Sequence, residues 1–385
     1  MTADILARVK EFTEAELLGK EAYFDSRPSV PTPASEKLHA AGLANWWIPA
    51  EYGGAGVGLE ESVDIVSELS YGDAGFAFSS FLSILGTTML HLFGERQLAA
   101  RYLGEMARTG GFCGILVSEE GAGSELGRTA TSFTRTGDSL VITGDKYFST
   151  NTDAADFLLV AARSAADESD FSVVLVPRDT EGIEIVRRWD MLGMRGSGTY
   201  EVRLHDCVVP ASHALSGNGL RLLEAGLNAS RTLIAATAIG VSRRIRELSM
   251  EYAAGKWVKG VPLVSNSVFI AKLGQIEMLI DVMRNQCRAA GAEFDGILAS
   301  PVPAASIYRA GTLRTALAAK MYCGQAGWSV ATTGSEMFGG LGYTNEHLIS
   351  KLVRDLRYVG LVEGGDDVIR DLLFSRYVVP AMKRR

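Results

Sequence analysis

Little in this chain supports metal-binding, dithiol or disulfide chemistry. Its four cysteines, Cys113, Cys207, Cys287 and Cys323, stand far apart without CxxC spacing. Neither a local metal or redox motif nor a disulfide framework is expected, and a cytoplasmic, reducing location fits best. The five histidines, His39, His91, His205, His213 and His347, form no HExxH or other short ligand cluster, so no metal is expected. The formal net charge is -7 with no Lys/Arg block, which excludes the usual electrostatic footprint of a nucleic-acid binder. No charged-then-apolar leader opens the sequence and no run of 18 apolar residues occurs, so no membrane span is expected. No GxGxxG follows a strand pattern, which leaves a Rossmann-type cofactor site without support.

What is present is ordinary globular composition, 47% apolar and 22% charged over 385 residues. That length calls for two or three structural regions. Residues 1–111 carry apolar positions at helical spacing, as in Ile5, Val9, Phe12 and Leu17, broken by a proline-rich piece at 28–33. Trp46 and Trp47, in the glycine-rich exit at 45–56, read as packing residues. Residues 112–215 change period to short β-rich runs separated by turn signals such as Thr136-Gly-Asp138 and Thr143-Gly-Asp145. Strands this close, with no helices between, predict an antiparallel sandwich or barrel. Residues 216–385 return to long helices, predicted at 220–253, 267–290, 304–335 and 366–376, with connectors at 255–262 and 291–303. The expected class is α+β: a helical domain, an antiparallel β domain and a C-terminal helical bundle.

Three stretches carry chemistry. Near the C-terminus, Glu363 follows an apolar run (Tyr358, Val359, Leu361, Val362) and precedes Gly364 and Gly365, with Asp366 placed to cap a last helix. Hydrophobic walls raise a carboxylate's pKa and suit it to remove a proton; a solvated helix cap is the plainer reading. In LVSEEGAGSE, residues 116–125, Ser118 ends a β run and the small residues Gly121 to Ser124 let backbone N–H groups converge on an anion, or simply form a surface turn. In KYFSTN, residues 146–151, strand alternation sends Phe148 and Thr150 to one face and Tyr147, Ser149 and Asn151 to the other. An aromatic beside a hydroxyl suits a flat ring cofactor, or decorates a sheet edge.

Taken together, the α–β–α order and these stretches resemble the acyl-CoA dehydrogenase family of flavoproteins from about residue 35 to 380. LVSEEGAGSE resembles the family's flavin loop, with Ser118, Glu120 and Glu125 in place of threonine, proline and aspartate. KYFSTN resembles its Lys-x-Trp-Ile-Thr-Asn strand, with Phe148 in the tryptophan position. Residues 38–56, 189–210 and 337–347 resemble further family segments. The resemblance implies FAD as cofactor. It implies that Val117, Ser118, Phe148, Ser149 and Thr150 attend the flavin ring, with Ser124 at the pyrophosphate or the substrate's thioester arm. Glu363 matches the family's base, and Arg231, with Gly364, its substrate side. Ser230 occupies the position where some members carry their base, which leaves Glu363 as the matching candidate. The implied reaction is α,β-dehydrogenation of an acyl thioester, on CoA or a carrier protein. The implied partners are an electron-transfer flavoprotein or other acceptor, and further copies of the chain as homodimer or homotetramer.

The departures cluster. The family's Arg-x-x-Phe-Gly…Gln run, which helps hold FAD across a subunit boundary, is matched by Lys256, Lys259, Gly260 and Ser267. Glu336 replaces a glutamine before the Gly339-Gly340 turn, itself implied to contact the cofactor, and Gly365 replaces a threonine. Lys256 keeps a positive charge without arginine's bidentate geometry. Altered flavin binding is therefore expected, with an oxidase or an inactive acyl-binding homologue as alternatives.

Overall fold

The structure, a computed structural model, describes residues 2–123 and 125–379. Seven helices come first: α1 (Thr2–Glu16), α2 (Glu21–Asp25), α3 (Pro33–Ala40), α4 (Leu59–Gly72), α5 (Ala74–Phe81), α6 (Ile84–Phe93) and α7 (Arg96–Thr109). Trp46 and Trp47 serve packing as expected: their indole N–H groups donate to Ser62 and Thr87 hydroxyls at 2.9 and 2.8 Å. Read together, α5 and α6 are long and apolar enough to cross a membrane, yet 78% of their most apolar stretch is buried inside the protein. Their hydrophobicity belongs to the core that α4, α5 and α6 share with the C-terminal bundle.

Seven strands follow: β1 (Phe112–Leu116), β2 (Ser132–Thr136), β3 (Ser139–Thr150), β4 (Ala155–Ser164), β5 (Phe171–Pro177), β6 (Ile183–Arg188) and β7 (Thr199–Pro210). They form one sheet in the order β1-β4-β2-β3-β7-β6, with β5 paired to β4. The expected all-antiparallel arrangement is corrected, because β1 and β2 both run parallel to β4. β4 itself is buried on both faces over most of its length. Leu158, Val160 and Ala162 join a core inside the curled sheet, while Phe157, Leu159 and Ala161 face the helices. A strand covered on both sides tolerates parallel neighbours.

The C-terminal bundle holds α8 (Gly219–Ala254), a small hairpin of β8 (Trp257–Val258) and β9 (Val261–Pro262), α9 (Ser267–Leu298), α10 (Pro303–Ala310), α11 (Arg314–Met337), α12 (Leu348–Arg357) and α13 (Asp366–Leu373). Two predicted boundaries move. The helix expected to stop at 290 runs on through Gly291, where a Cβ would lie 2.5 Å from the Glu60 Cα, so this glycine serves close packing and not a turn. The helix expected at 304–335 is two helices, parted at Gly311 in left-handed conformation, φ +65°.

One buried ion cluster fastens the three parts together. Lys351 on α12 lies 2.7 Å from Asp73, which caps α5, and 2.6 Å from Asp355. Asp355 also accepts the Met194 N–H at 2.7 Å from the loop between β6 and β7. Burial opposes the charge on Lys351, but the two carboxylates hold its ammonium above the usual lysine range. Removing one member would strand the others' charges in the core, which makes the cluster a strong fastening once formed.

Candidate active site

The chain leaves α12 through a tight turn at 358–360 and reaches Glu363 in a left-handed conformation, φ +51°, followed by Gly364 at φ +96°. A non-glycine residue there is strained and persists only where its surroundings hold it. Three side chains do so. The Ser230 hydroxyl on α8 donates to Glu363 Oε2 at 2.6 Å. Arg231 Nε donates to the Glu363 carbonyl at 2.9 Å. Lys320 on α11 donates through Nζ to the Gly364 carbonyl.

Among the described residues the carboxylate thus takes one neutral donor, while the two cations bond the consecutive carbonyls of residues 363 and 364. Burial pushes Glu363 up to about 7, and the Ser230 hydrogen bond with the charges of Arg231 and Lys320 keeps it from rising further. The residue is crowded by protein but keeps partial access to solvent. Asp366, expected to cap the last helix, does not: Gly365 holds that position, and the Asp366 carboxylate instead accepts from Gln325 at 3.0 Å.

The β domain carries the other half of the residues that the sequence singled out. Lys146, fully buried on β3, donates to the Val117 carbonyl at 3.1 Å, to Glu119 at 2.7 Å and to Thr129 at 3.1 Å. Glu119 accepts also from Thr129 and from the N–H groups of Ala130 and Thr131. Burial alone would raise Glu119, but the Lys146 charge and these donors bring it down to about 2. Burial lowers Lys146 to about 8 against the pull of Glu119, so both are ionised at neutral pH. The pair ties the 117–119 segment to β3, where Tyr147 N–H also donates to the Ser118 carbonyl at 2.7 Å. Ser124 lies outside the described residues.

The expected alternation along KYFSTN is corrected by a β-bulge. Lys146 pairs with Val202 and Ser149 with Tyr200, so β3 has one residue more than β7 over this step. Phe148 takes up the difference at φ +53°, turns 54% exposed and packs on Trp189 with ring centroids 4.8 Å apart. Ser149 and Thr150 are then both buried. The Ser149 hydroxyl has no partner among the described residues, and the Thr150 hydroxyl meets that of Thr199 at 3.0 Å.

The two halves are linked through α5. Asn151, next to Thr150, exchanges hydrogen bonds with the Ser79 hydroxyl and carbonyl, each 2.8 Å. Phe78 packs on Tyr358, centroids 5.3 Å apart, and the Tyr358 hydroxyl bonds Thr237 on α8 at 2.7 Å.

Lys256, Gly339 and Gly340 are not brought to these halves within one chain. Lys256 lies 5.1 Å from the Tyr252 ring, which packs on Phe338 beside the Gly339–Tyr343 turn. That places them together at the far end of the bundle, about 35 Å along α8 from Arg231. Lys320, Glu119, Thr199 and Trp189 escape the sequence reading. For the two lysine-linked groups a signal exists: a lysine among the inward-facing residues of an apolar helix stripe or strand.

Family models described as the acyl-CoA dehydrogenase N-terminal, middle and C-terminal domains match residues 2–110, 114–207 and 217–377. The chain is 30% identical over 336 residues to a cyclohexane-1-carbonyl-CoA dehydrogenase of Syntrophus aciditrophicus, covering 86% of this chain and 84% of that one. Its fold is similar to that of butyryl-CoA dehydrogenase from Megasphaera elsdenii, with a TM-score of 0.88, 23% identity and 98% of each chain covered. It is also similar to a glutaryl-CoA dehydrogenase from Mycobacterium smegmatis solved in complex with FADH2, with a TM-score of 0.85, 23% identity and 97% and 95% covered.

Proposed function

The chain belongs to the acyl-CoA dehydrogenase family, and from that premise we propose that it is a flavin-dependent enzyme that desaturates an acyl thioester at the α,β position. The observation that carries the reading is the Glu363 corner: a partly buried carboxylate near neutral pKa, held by a hydroxyl and not by a cation. A base with its pKa close to the operating pH is both available and strong enough to matter.

The residues present suit FAD. The partnerless Ser149 hydroxyl is a buried polar atom that asks for a ligand, and Phe148 offers an aromatic face turned out of the sheet. With Thr199 donating, the Thr150 O–H is free to donate onward. Val117, Ser118, Phe148, Ser149 and Thr150 would hold the ring side. Lys256, Gly339 and Gly340, too distant in one chain, would serve the pyrophosphate side from a second copy, which favours a homodimer or homotetramer. When bound, FAD supplies the acceptor for the β-hydride.

Glu363 takes the α-proton from substrate while the Ser230 hydroxyl, bonded to its Oε2, steadies the carboxylate. Gly364 lets the backbone come close to the thioester, and Arg231, whose Nη1 is buried without a partner, keeps a donor in reserve beside it. The final electron acceptor would be an electron-transfer flavoprotein or another acceptor. The donor is an acyl-CoA or an acyl group on a carrier protein.

Anaerobic mixing of the FAD-loaded protein with butyryl-, glutaryl- and cyclohexane-1-carbonyl-CoA, and with acyl-carrier substrates, tests this directly. Bleaching of the flavin is expected with at least one donor. Glu363→Gln should keep the flavin and lose about 10²–10⁴-fold in reduction rate. A protein that takes up no FAD, or a Glu363→Gln variant reduced as fast as the parent, would overturn the proposal.

A further inference from the structure

Where α11 faces the bundle, its buried positions are small or apolar: Ala316, Leu317, Ala319, Cys323 and Gly324. Lys320 is the exception and is fully buried. A buried ammonium is costly unless it is paired and hydrogen-bonded, yet no carboxylate lies within ion-pair distance of Lys320 among the described residues. Its hydrogen bond goes to a backbone carbonyl, that of Gly364. One residue earlier, Arg231 Nε donates to the Glu363 carbonyl at 2.9 Å. Two consecutive carbonyls are therefore gripped by two cations from two different helices. Glu363, whose carbonyl Arg231 holds, sits at φ +51°, which a non-glycine residue keeps only where its surroundings hold it, and Gly364 follows at φ +96°, open to glycine.

We propose that Lys320 is a positioning residue for the reaction at Glu363: by holding the Gly364 carbonyl it fixes the peptide that aims the carboxylate at substrate. The inference rests on Glu363 being the base. Lys320 does not itself take the proton, since its Nζ is engaged and buried behind the turn. A misplacement of the reacting group by an ångström is enough to cost orders of magnitude in rate, so the grip matters most in the chemical step and least in substrate binding.

The charges around the turn give the proposal a pH signature. Ser230 and Arg231 face it from α8, Lys320 from α11, and Tyr358 and Asp366 from its own segment. Burial, helped by Arg231, lowers Lys320 to about 8, with Glu363 and Asp366 pulling the other way. Lys320 is thus cationic while Glu363 titrates and loses its charge just above. The rate of flavin reduction should rise through the Glu363 limb and fall through an alkaline limb that belongs to Lys320.

The test uses the full-length FAD-loaded protein and its apo form, as wild type, Lys320→Met, Lys320→Arg and Glu363→Gln. In single-turnover reduction by cyclohexane-1-carbonyl-CoA and butyryl-CoA, Lys320→Met should lose about 10- to 100-fold in rate with KM changed less than about threefold. Lys320→Arg, which cannot deprotonate, should recover part of the rate and abolish the alkaline limb. Independently of substrate, ¹³C-carboxyl NMR titration of Glu363, assigned by its loss in Glu363→Gln, should move upward in Lys320→Met. The proposal is overturned if Lys320→Met leaves both the rate and the Glu363 titration unchanged. Should Lys320→Met fail to fold, an alkaline limb persisting in Lys320→Arg overturns it equally. If Glu363→Gln is reduced as fast as wild type, the base assignment itself fails; if only the Lys320 variants behave as wild type, the positioning role alone falls.

Discussion

Two glutamates in this molecule, one buried and one crowded by protein, each with a lysine nearby, meet opposite fates. Glu119 receives Lys146 directly on its carboxylate, together with a threonine hydroxyl and two backbone N–H groups, and is held at about 2. Glu363 receives a single serine hydroxyl, while its two cations bond the carbonyls of residues 363 and 364, and it rises to about 7. Both environments bury charge; what differs is the atom on which the donors are spent. Donors on the carboxylate make a permanent anion and a fastening. Donors on the adjoining backbone leave the carboxylate free to exchange its proton while keeping it in place.

The comparison can be broken at its strongest point first. Lys146→Met strands Glu119 as a buried, unpaired charge and should cost about 3–5 kcal/mol of stability, read in a denaturant melt, with loss of bound flavin. A variant as stable as the parent would mean Glu119 is no fastening.

The two carboxylates should next show opposite pH linkage. Glu363 has its folded pKa above the ordinary glutamate value of 4.5, so the stability it contributes is full below 4.5 and is lost as pH rises through about 7. Glu363→Gln should therefore stabilise the apo protein at pH 8, by about 2 kcal/mol after allowing for its partial exposure, with no gain at pH 4.5. Glu119 has its folded pKa below 4.5, so its contribution is present above 4.5 and lost as pH falls through about 2. Glu119→Gln should be destabilising at pH 7. Thermal melts of the two variants across pH 4.5–8 check the signs; shifts in the same direction would erase the contrast.

Smaller effects sharpen it. Gly364→Ala puts a side chain at φ +96°, with its Cβ 3.4 Å from Val368 and 3.5 Å from Arg231, and should cost about 1–3 kcal/mol with a lower reduction rate. Ser230→Ala removes the one donor on the Glu363 carboxylate. The acid limb of the pH–rate profile should then move up by about one pH unit, with flavin content unchanged.

The α–β–α plan was legible because helical and strand periods differ sharply and each region keeps one period for about a hundred residues or more. The direction of β1 and β2 against β4 was not legible. The run from Phe157 to Ala161 reads as buried strand whichever way its neighbour runs, and only the completed sheet decides. At the site, Glu363 and Arg231 came from the family resemblance and Ser230 was read only as a position without a base; that both residues bond Glu363 emerges from the structure. The bulge at Phe148 was invisible, since one extra residue in a strand leaves the local alternation of types unchanged. Lys320 and Lys146 were passed over because a lysine reads as surface until its neighbours are known.

The ion cluster at Lys351 bears on how the molecule tolerates change. It locks α5, α12 and the Met194 loop, and those elements carry Ser79, the Glu363 turn and the sheet respectively. The strand with Thr150 and the corner with Glu363 are thus carried by elements that one buried screw holds together. Substitutions near either residue that spare Lys351, Asp73 and Asp355 leave that fastening intact.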